Sequence, residues 1–416
     1  MVSPERARSR LVEELRRGSR VRSPAVADAF ATVPRHLFLP GSTIETAYSD
    51  EAIATKFAGG VAISSASQPS MMAIMLEQLG LCPGQRVLEI GAGTGYNAAL
   101  MARIVGPSGS VTAIDIDPEL IAQAEDNLRA AAVKGVELVV GDGALGHPDG
   151  APFDRIILTV GSWDVRPEWV EQLVPGGRLV LPLAVRGSQL SVAFDLGGDG
   201  ALRSDSVRSC AFIRLRGIGA GPATRAASTG DGLLIQVAED STVDPAAVAA
   251  ALQEPGPVRA TGVPIGPADL WDGLGLWLAL ADRSTLRVLA SGEAAESPLA
   301  RRLLRIGPDR GTVALVDGEP GEDCALLVLD PRGRPGTGRL HPAAVQVFGP
   351  AGGPAAARLG RMVRRWHALG RLNAADLVIA AVLPSGEPPA VPAGRTVIDK
   401  EFSRLLLGWA RPTQPT

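Results

Sequence analysis

The residues of this sequence whose spacing suits chemistry are three acids and a run of hydroxyls. Glu89 precedes an alternate-glycine run, Gly91-Ala92-Gly93-Thr94-Gly95. Asp115 closes the next apolar stretch, and Asp142 lies in Gly141-Asp142-Gly143 at the end of the one after it. Glycines let a ligand approach the backbone closely, and a helix that starts behind them offers free N–H groups. An acid at the tip of the following strand can accept both hydroxyl hydrogens of a ribose, and Asp142 can accept from an adenine amino group. A dinucleotide site needs a third glycine where Tyr96 stands. The pattern E-x-G-x-G-x-G, with its acid ahead of the turn, instead suits S-adenosylmethionine (SAM), which has no pyrophosphate and carries a cationic methionine end. The cofactor candidates are therefore Glu89, Gly91, Gly93, Thr94, Gly95, Asp115, Asp142 and Gly143.

The elements that must position these groups read as alternating strands and helices. Val87–Ile90 is a strand leading into a helix from Ala98 to Val105, and Val111–Ile114 is a second strand before a helix over 118–132. Asp117 before Pro118 fits a helix cap, which leaves Asp115 for the ribose. Strands follow at 136–140, 153–160 and 174–182, with a short helix at 169–173. Ahead of this core, residues 5–17 and 25–33 are expected to be helices. The stretch 61–68, rich in serine, reads as a loop before a helix over 70–79, and loop or capping roles account for its serines.

Other classes fit poorly. The chain has 416 residues, 46% of them hydrophobic and 20% charged, with a net charge of −3. That is globular composition with no electrostatic case for nucleic acid. Cys82, Cys210 and Cys324 lie far apart and form no metal or disulfide pattern, and His36, His147, His341 and His367 are equally scattered. No metal is expected. With no signal peptide and no long apolar run visible, a soluble cytoplasmic protein is the expectation.

Several segments, taken in order, carry a resemblance: 33–40 (VPRHLFLP), Ser67-Gln68-Pro69, the motif from Glu89 to Tyr96, Gly141-Asp142-Gly143, Ala151-Pro152-Phe153-Asp154 and 175–182 (PGGRLVLP). Over roughly residues 8–217 the chain resembles the protein-L-isoaspartate (D-aspartate) O-methyltransferase family. The resemblance implies an α/β fold of the Rossmann-like class I SAM-dependent methyltransferase type. It also implies SAM as donor and a protein or peptide carboxylate as acceptor. Ser67 would be the active-site hydroxyl, with Glu89, Gly91, Gly93, Asp115 and Asp142 on cofactor positions. Two loops depart from the family pattern. Ser65-Ala66 precede the serine where the family has a Thr-Ile or similar pair. Gly161-Ser162-Trp163-Asp164 follow strand four where it often has Ala-Ala-Pro. Ser65, Gln68, Ser162 and Trp163 are thus candidates for contacts with the acceptor.

The expected division is a methyltransferase domain over 1–217 and a C-terminal α+β accessory domain over 218–416 that recognises a peptide. Residues 269–280 (DLWDGLGLWLAL) resemble the C-terminal half of long methyltransferases of ribosomal peptide natural products, of the lanthipeptide "FxLD system" and graspetide types. Core packing is the expectation for Trp271 and Trp277, and a solvated face for Arg358, Arg361, Arg364 and Arg365, with an acidic peptide as the other reading. The expected activity is O-methylation of an Asp carboxylate in a modified, macrocyclic peptide. The ester would then close to an aspartimide that persists or hydrolyses to isoaspartate. Repair of isoaspartyl proteins is the alternative, and a non-catalytic SAM- or peptide-binding module is the second. The sequence leaves the oligomeric state open.

Overall fold

The computed structural model describes residues 2–306, 308–318, 323–332, 340–349, 353–384 and 394–410. They fall into two compact units. One comprises 1–184, 189–221 and 378–407, and the other 185–188, 222–377 and 408–416.

The first unit opens with helices α1 (Pro4–Arg17), α2 (Pro24–Thr32) and α3 (Ile44–Ala47). Each is capped by a hydroxyl, from Ser3, Ser23 and Thr43 respectively. Ala7, Leu11 and Leu15, four apart, form the buried stripe of α1. The serine-rich stretch differs from expectation. Val61–Ala66 is strand β2, paired antiparallel with β1 (Ile53–Ala58). Gly59 and Gly60, both at positive φ, form the two-residue turn between them. Consecutive serines hid the strand, whereas the Gly-Gly turn between two β-prone runs was its signal. The hairpin delivers Ser67 to the start of α4 (Pro69–Leu79).

The remaining strands of this region are β3 (Arg86–Ile90), β4 (Ser110–Asp115), β5 (Val136–Val140), β6 (Phe153–Leu158), β7 (Leu173–Val185), β8 (Ser188–Leu196) and β9 (Leu202–Ser209). Helices α5 (Tyr96–Val105), α6 (Pro118–Ala130) and α7 (Pro167–Glu171) lie between them. β3 pairs parallel with both β4 and β6, and β5 and β7 extend the parallel set on either side. The order β7-β6-β3-β4-β5 reverses direction at β3, so the glycine turn sits at the topological switch point where such sheets bind ligands. This is the class I SAM-dependent methyltransferase fold. Val87, Leu88 and Ile90 on β3 are all at most 1% exposed, the continuous apolar run expected of a parallel strand covered on both faces.

The same sheet continues past β9. Strand Leu377–Val382 pairs with β9, and the hairpin Thr396–Asp399 with Arg404–Trp409 forms the far edge. A single break at 217/218 therefore does not describe the chain, because residues 378–407 return to the first unit.

The second unit holds an antiparallel sheet and a helix, Pro354–Ala368, whose Leu359, Val363 and Trp366 are buried. Trp277 is core, and Trp271 packs partly buried against the same cluster. Arg358 is not part of a solvated face. It pairs with Asp282 at 3.1 Å and Asp317 at 3.2 Å, while Arg361, Arg364 and Arg365 are exposed. Among the described residues, no helix is long and apolar enough to cross a membrane.

Candidate active site

An open cleft at the carboxyl ends of β3, β4 and β6 is lined by Ser64, Ser65, Ser67, Glu89, Gly91, Gly93, Thr94, Asp115, Gly143 and Thr159. Its floor is the glycine turn. Gly91 sits at φ +100°, and a Cβ there would lie 2.8 Å from Val160 Cγ1 and 2.9 Å from Thr159 Oγ1. Only glycine serves both the conformation and the close approach. Gly95 works differently. As N-cap of α5 at φ +82° its Cα faces α6, and a Cβ would meet that of Ala124 at 3.2 Å. It sets helix packing rather than lining the cleft.

Glu89 is fully buried. One carboxylate oxygen accepts from Asn97 Nδ2 at 2.8 Å, and the other, Oε2, has no partner in the protein. Burial pushes its pKa from 4.5 to about 8, opposed by the Asn97 bond and helped by the charge of Asp115. An orphaned acid of this kind on the cleft floor suits a cation, and the methionine ammonium of SAM is one. Asp115 Oδ2 accepts from Gly93 N at 3.1 Å and Oδ1 from Asp117 N at 3.1 Å, so the carboxylate is held rigidly at the strand tip. Burial raises its pKa, while those N–H groups and Arg216 counter the shift. Asp117 caps α6 by accepting from Glu119 N, and it also receives Lys56 Nζ at 2.6 Å. Together the bare glycine turn, the orphaned Glu89 oxygen and the Asp115 carboxylate fit SAM.

Asp142 stands apart from this set. Its Oδ1 accepts from Ala144 N at 3.0 Å and its Oδ2 from Ile218 N at 2.9 Å. It tethers the segment 212–218, whose residues Phe212 to Arg216 wall the cleft. Gly143 lines the cleft directly, where a Cβ would fall 2.3 Å from Ile90 Cγ2.

The acceptor-side candidates divide. Ser67 and Ser65 line the cleft. Gln68 is exposed and donates to Asp50 O at 2.9 Å. Ser162 is 3% exposed, with its hydroxyl spent on Asp164 O at 2.7 Å. Trp163 is half-buried outside the cleft lining, with Lys400 Nζ 3.3 Å from its ring centroid.

Sequence reasoning passed over Arg35. This guanidinium, 0% exposed, donates to Ala47 O at 2.9 Å and Ser67 O at 3.0 Å, and lies 5.0 Å from the Tyr96 ring centroid. It fixes the backbone of Ser67 from behind, and burial pulls its pKa down. Arg216 was also passed over. It reaches Asp115 at 3.5 Å and Asp117 at 3.7 Å. An apolar residue preceding Arg35 and Asp115 following a strand were visible, but the pairings depend on distant segments.

Comparison with known proteins identifies the family. Residues 6–218 match the family model of protein-L-isoaspartate(D-aspartate) O-methyltransferase. A protein-L-isoaspartate O-methyltransferase of Methanopyrus kandleri is 42% identical over 213 residues, which are 51% of this chain and 92% of the relative. One from Hyperthermus butylicus is 41% identical, covering 51% of this chain and 89% of its own. Among solved structures, a protein-L-isoaspartate O-methyltransferase superposes with a TM-score of 0.49 at 23% identity, over 90% of this chain and 96% of its own. The chain belongs to the protein-L-isoaspartate(D-aspartate) O-methyltransferase family and is a SAM-dependent carboxyl methyltransferase.

Proposed function

We propose that the acceptor is the free carboxylate of an isoaspartyl residue in a protein or peptide. The observation that carries this reading is Ser67. It stands on the cleft wall across from the glycine turn, with its backbone gripped by a buried arginine. Glu89, Gly91, Gly93 and Asp115 would hold SAM, which when bound supplies an electrophilic methyl group. A carboxylate acceptor is already ionised near pH 7, so no general base is required. The protein's work is to place the acceptor oxygen in line and to exclude water. Ser67 O–H would donate to the acceptor oxygen that is not attacking, and Arg35 keeps that serine from drifting.

The methyl ester so formed carries a better leaving group, methoxide, than the free carboxylate offers, and attack by the following backbone nitrogen on the ester carbonyl would expel methanol and close a succinimide. That step needs no residue of this chain. The test is methyl transfer from labelled SAM to a linear isoaspartyl peptide and to its normal aspartyl twin. Turnover of the first alone is expected, and transfer to neither would overturn the reading.

A second reading has one observation in its favour. The family match stops at residue 218, while 222–377 build a separate unit. Under that reading the unit would recruit a modified macrocyclic peptide whose Asp side chain is methylated and cyclised to aspartimide. Its mark would be efficient turnover of a cyclic aspartyl peptide with the linear isoaspartyl peptide left untouched.

A further inference from the structure

The loop after β6 is one of the two places where this chain departs from the family pattern, and its structure is set from the far end of the sequence. Asp164, 3% exposed, is the centre of that arrangement. Its Oδ1 accepts from Ser403 Oγ at 2.5 Å and from Val165 N at 2.7 Å, and its Oδ2 accepts from Phe402 N at 2.6 Å. Phe402 and Ser403 belong to the turn of the hairpin at 396–409. The same turn stacks the Phe402 ring against Arg166, whose guanidinium carbon is 4.4 Å from the centroid. It also places Lys400 over Trp163 and donates from Lys400 Nζ to Ala184 O at 3.1 Å. Five separate contacts from one tight turn therefore converge on 163–166 and the adjoining strand.

The loop in turn holds a wall of the cleft. Gly161 N donates to Ile213 O at 2.8 Å, and Leu215 N donates to Gly161 O at 2.8 Å. Ile213 and Leu215 line the cleft, as do Thr159 and Val160 immediately before the loop. Gly161 packs closely against the same segment, since a Cβ there would lie 3.3 Å from Phe212 O and meet the Gln189 side chain. Thr159 and Val160 flank Gly91. A shift of Gly161 would thus be felt along the 213–215 wall.

We propose that Asp164 and the 400–403 turn are positioning elements for the acceptor. By clamping the loop after β6 they set the 213–215 wall, and so determine which carboxylates reach Ser67. The clamp is made of hydrogen bonds to a buried carboxylate, which are short, directional and costly to leave unmade. It gives a reason for residues 378–407 to return to the first unit, which the catalytic core alone does not supply. Neither Asp164 nor Ser403 touches the cleft, so both act through the wall.

The experiment uses the full chain with Ser403→Ala, Asp164→Asn and Asp164→Ala. Hydrogen exchange of 160–164 and 212–216 is read beside KM for the isoaspartyl peptide and the dissociation constant of SAM. Ser403→Ala removes only a hydroxyl, so it tests the clamp even if Asp164→Ala fails to fold. Faster exchange in both segments is expected, with KM for the peptide rising about tenfold and SAM affinity changing less than about twofold. Asp164→Asn, which keeps one acceptor oxygen, should fall between wild type and Asp164→Ala. Unchanged exchange at 212–216 would overturn the proposal, as would SAM affinity falling in step with peptide KM. The identity of the acceptor rests on the function proposed above. Were the peptide not turned over by the wild type, exchange at the wall would still decide on the clamp.

Discussion

The floor of the cleft and its walls are built in opposite ways. Glu89, Gly91 and Gly93 lie within five consecutive residues, and their function follows from local backbone conformation. The walls are assembled from 35, 64–67, 159–160, 212–216 and, through Asp164, 402–403. Local rules govern the floor and tertiary packing governs the walls. The floor can therefore be common to chains of this fold, while the walls can differ and so choose the acceptor.

The largest effect should come from breaking the floor. Gly91→Ala must hold alanine at φ +100° and press its Cβ within 2.9 Å of Val160 and Thr159. Strain of about 3 kcal/mol corresponds to roughly a 100-fold loss of SAM affinity, readable by calorimetry. Retained affinity would mean that the turn adapts and is not a rigid floor. Next in size is Arg35→Lys, at the back of the wall. A lysine cannot reach both Ala47 O and Ser67 O, so one buried carbonyl loses its partner. About 2 kcal/mol is at stake, roughly 30-fold in kcat/KM for the acceptor peptide, with SAM affinity nearly intact. Ser67→Ala should then cost about tenfold in kcat, the worth of one hydrogen bond to a charged acceptor, and also leave SAM binding in place. If Arg35→Lys or Ser67→Ala weakened SAM binding as much as turnover, floor and wall would not be separable.

The asymmetry also explains what could be read in advance. The order of strands from 86 to 182 and the positions of Glu89, Gly91, Gly93 and Asp115 follow from apolar runs punctuated by glycines and acids, so the sequence carries them openly. The Ser64-Ser65 pair in β2 hid a strand, because serine is poor in β propensity and the strand is stabilised by its partner, Ile53–Ala58. Asp142 at a strand tip has the same local signature as Asp115. It differs only because Ile218, 76 positions away, donates to it. Arg35 has no local signature, since its role comes from two carbonyls in other segments. Strand Leu377–Val382 has the pattern of any edge strand, and nothing in it says which of two sheets it joins.

Glu89 sharpens the floor through pH. In the free protein its pKa is about 8 against 4.5 for an ordinary Glu, so the folded chain holds a proton that the unfolded chain releases. Stability relative to Glu89→Gln is therefore full below pH 4.5 and declines as pH rises toward about 8. The cationic end of SAM beside the carboxylate would favour its ionised form. Binding near pH 7 should release protons and tighten with rising pH, by at most about tenfold per unit. Calorimetry in buffers of different ionisation enthalpy measures the released protons. Glu89→Gln should abolish both the release and the slope, and a slope surviving in that variant would move the titrating group elsewhere.

The smallest effect belongs to Arg216, a cation that spans floor and wall. It belongs to the 212–218 segment of the wall, yet its guanidinium lies 3.5 Å from Asp115 and 3.7 Å from Asp117. The arginine is 35% exposed, so solvent screens the pair and its net worth is about 0–1 kcal/mol. A ribose diol needs the same carboxylate, whose Oδ1 and Oδ2 already accept from Asp117 N and Gly93 N. Arg216→Ala frees Asp115 from a competing partner while loosening one end of the wall segment, and the two consequences oppose each other for SAM. The net change in SAM affinity should stay within about threefold. Its dependence on salt should flatten, because the screened pair is gone from both the free and the bound protein. Peptide KM should rise more than SAM affinity changes, since the segment would then lose its ion pairs to Asp115 and Asp117 while keeping the bonds to Gly161 and Asp142. A large loss of SAM affinity with unchanged peptide KM would instead place Arg216 on the floor, and would shift the boundary between what binds the donor and what selects the acceptor.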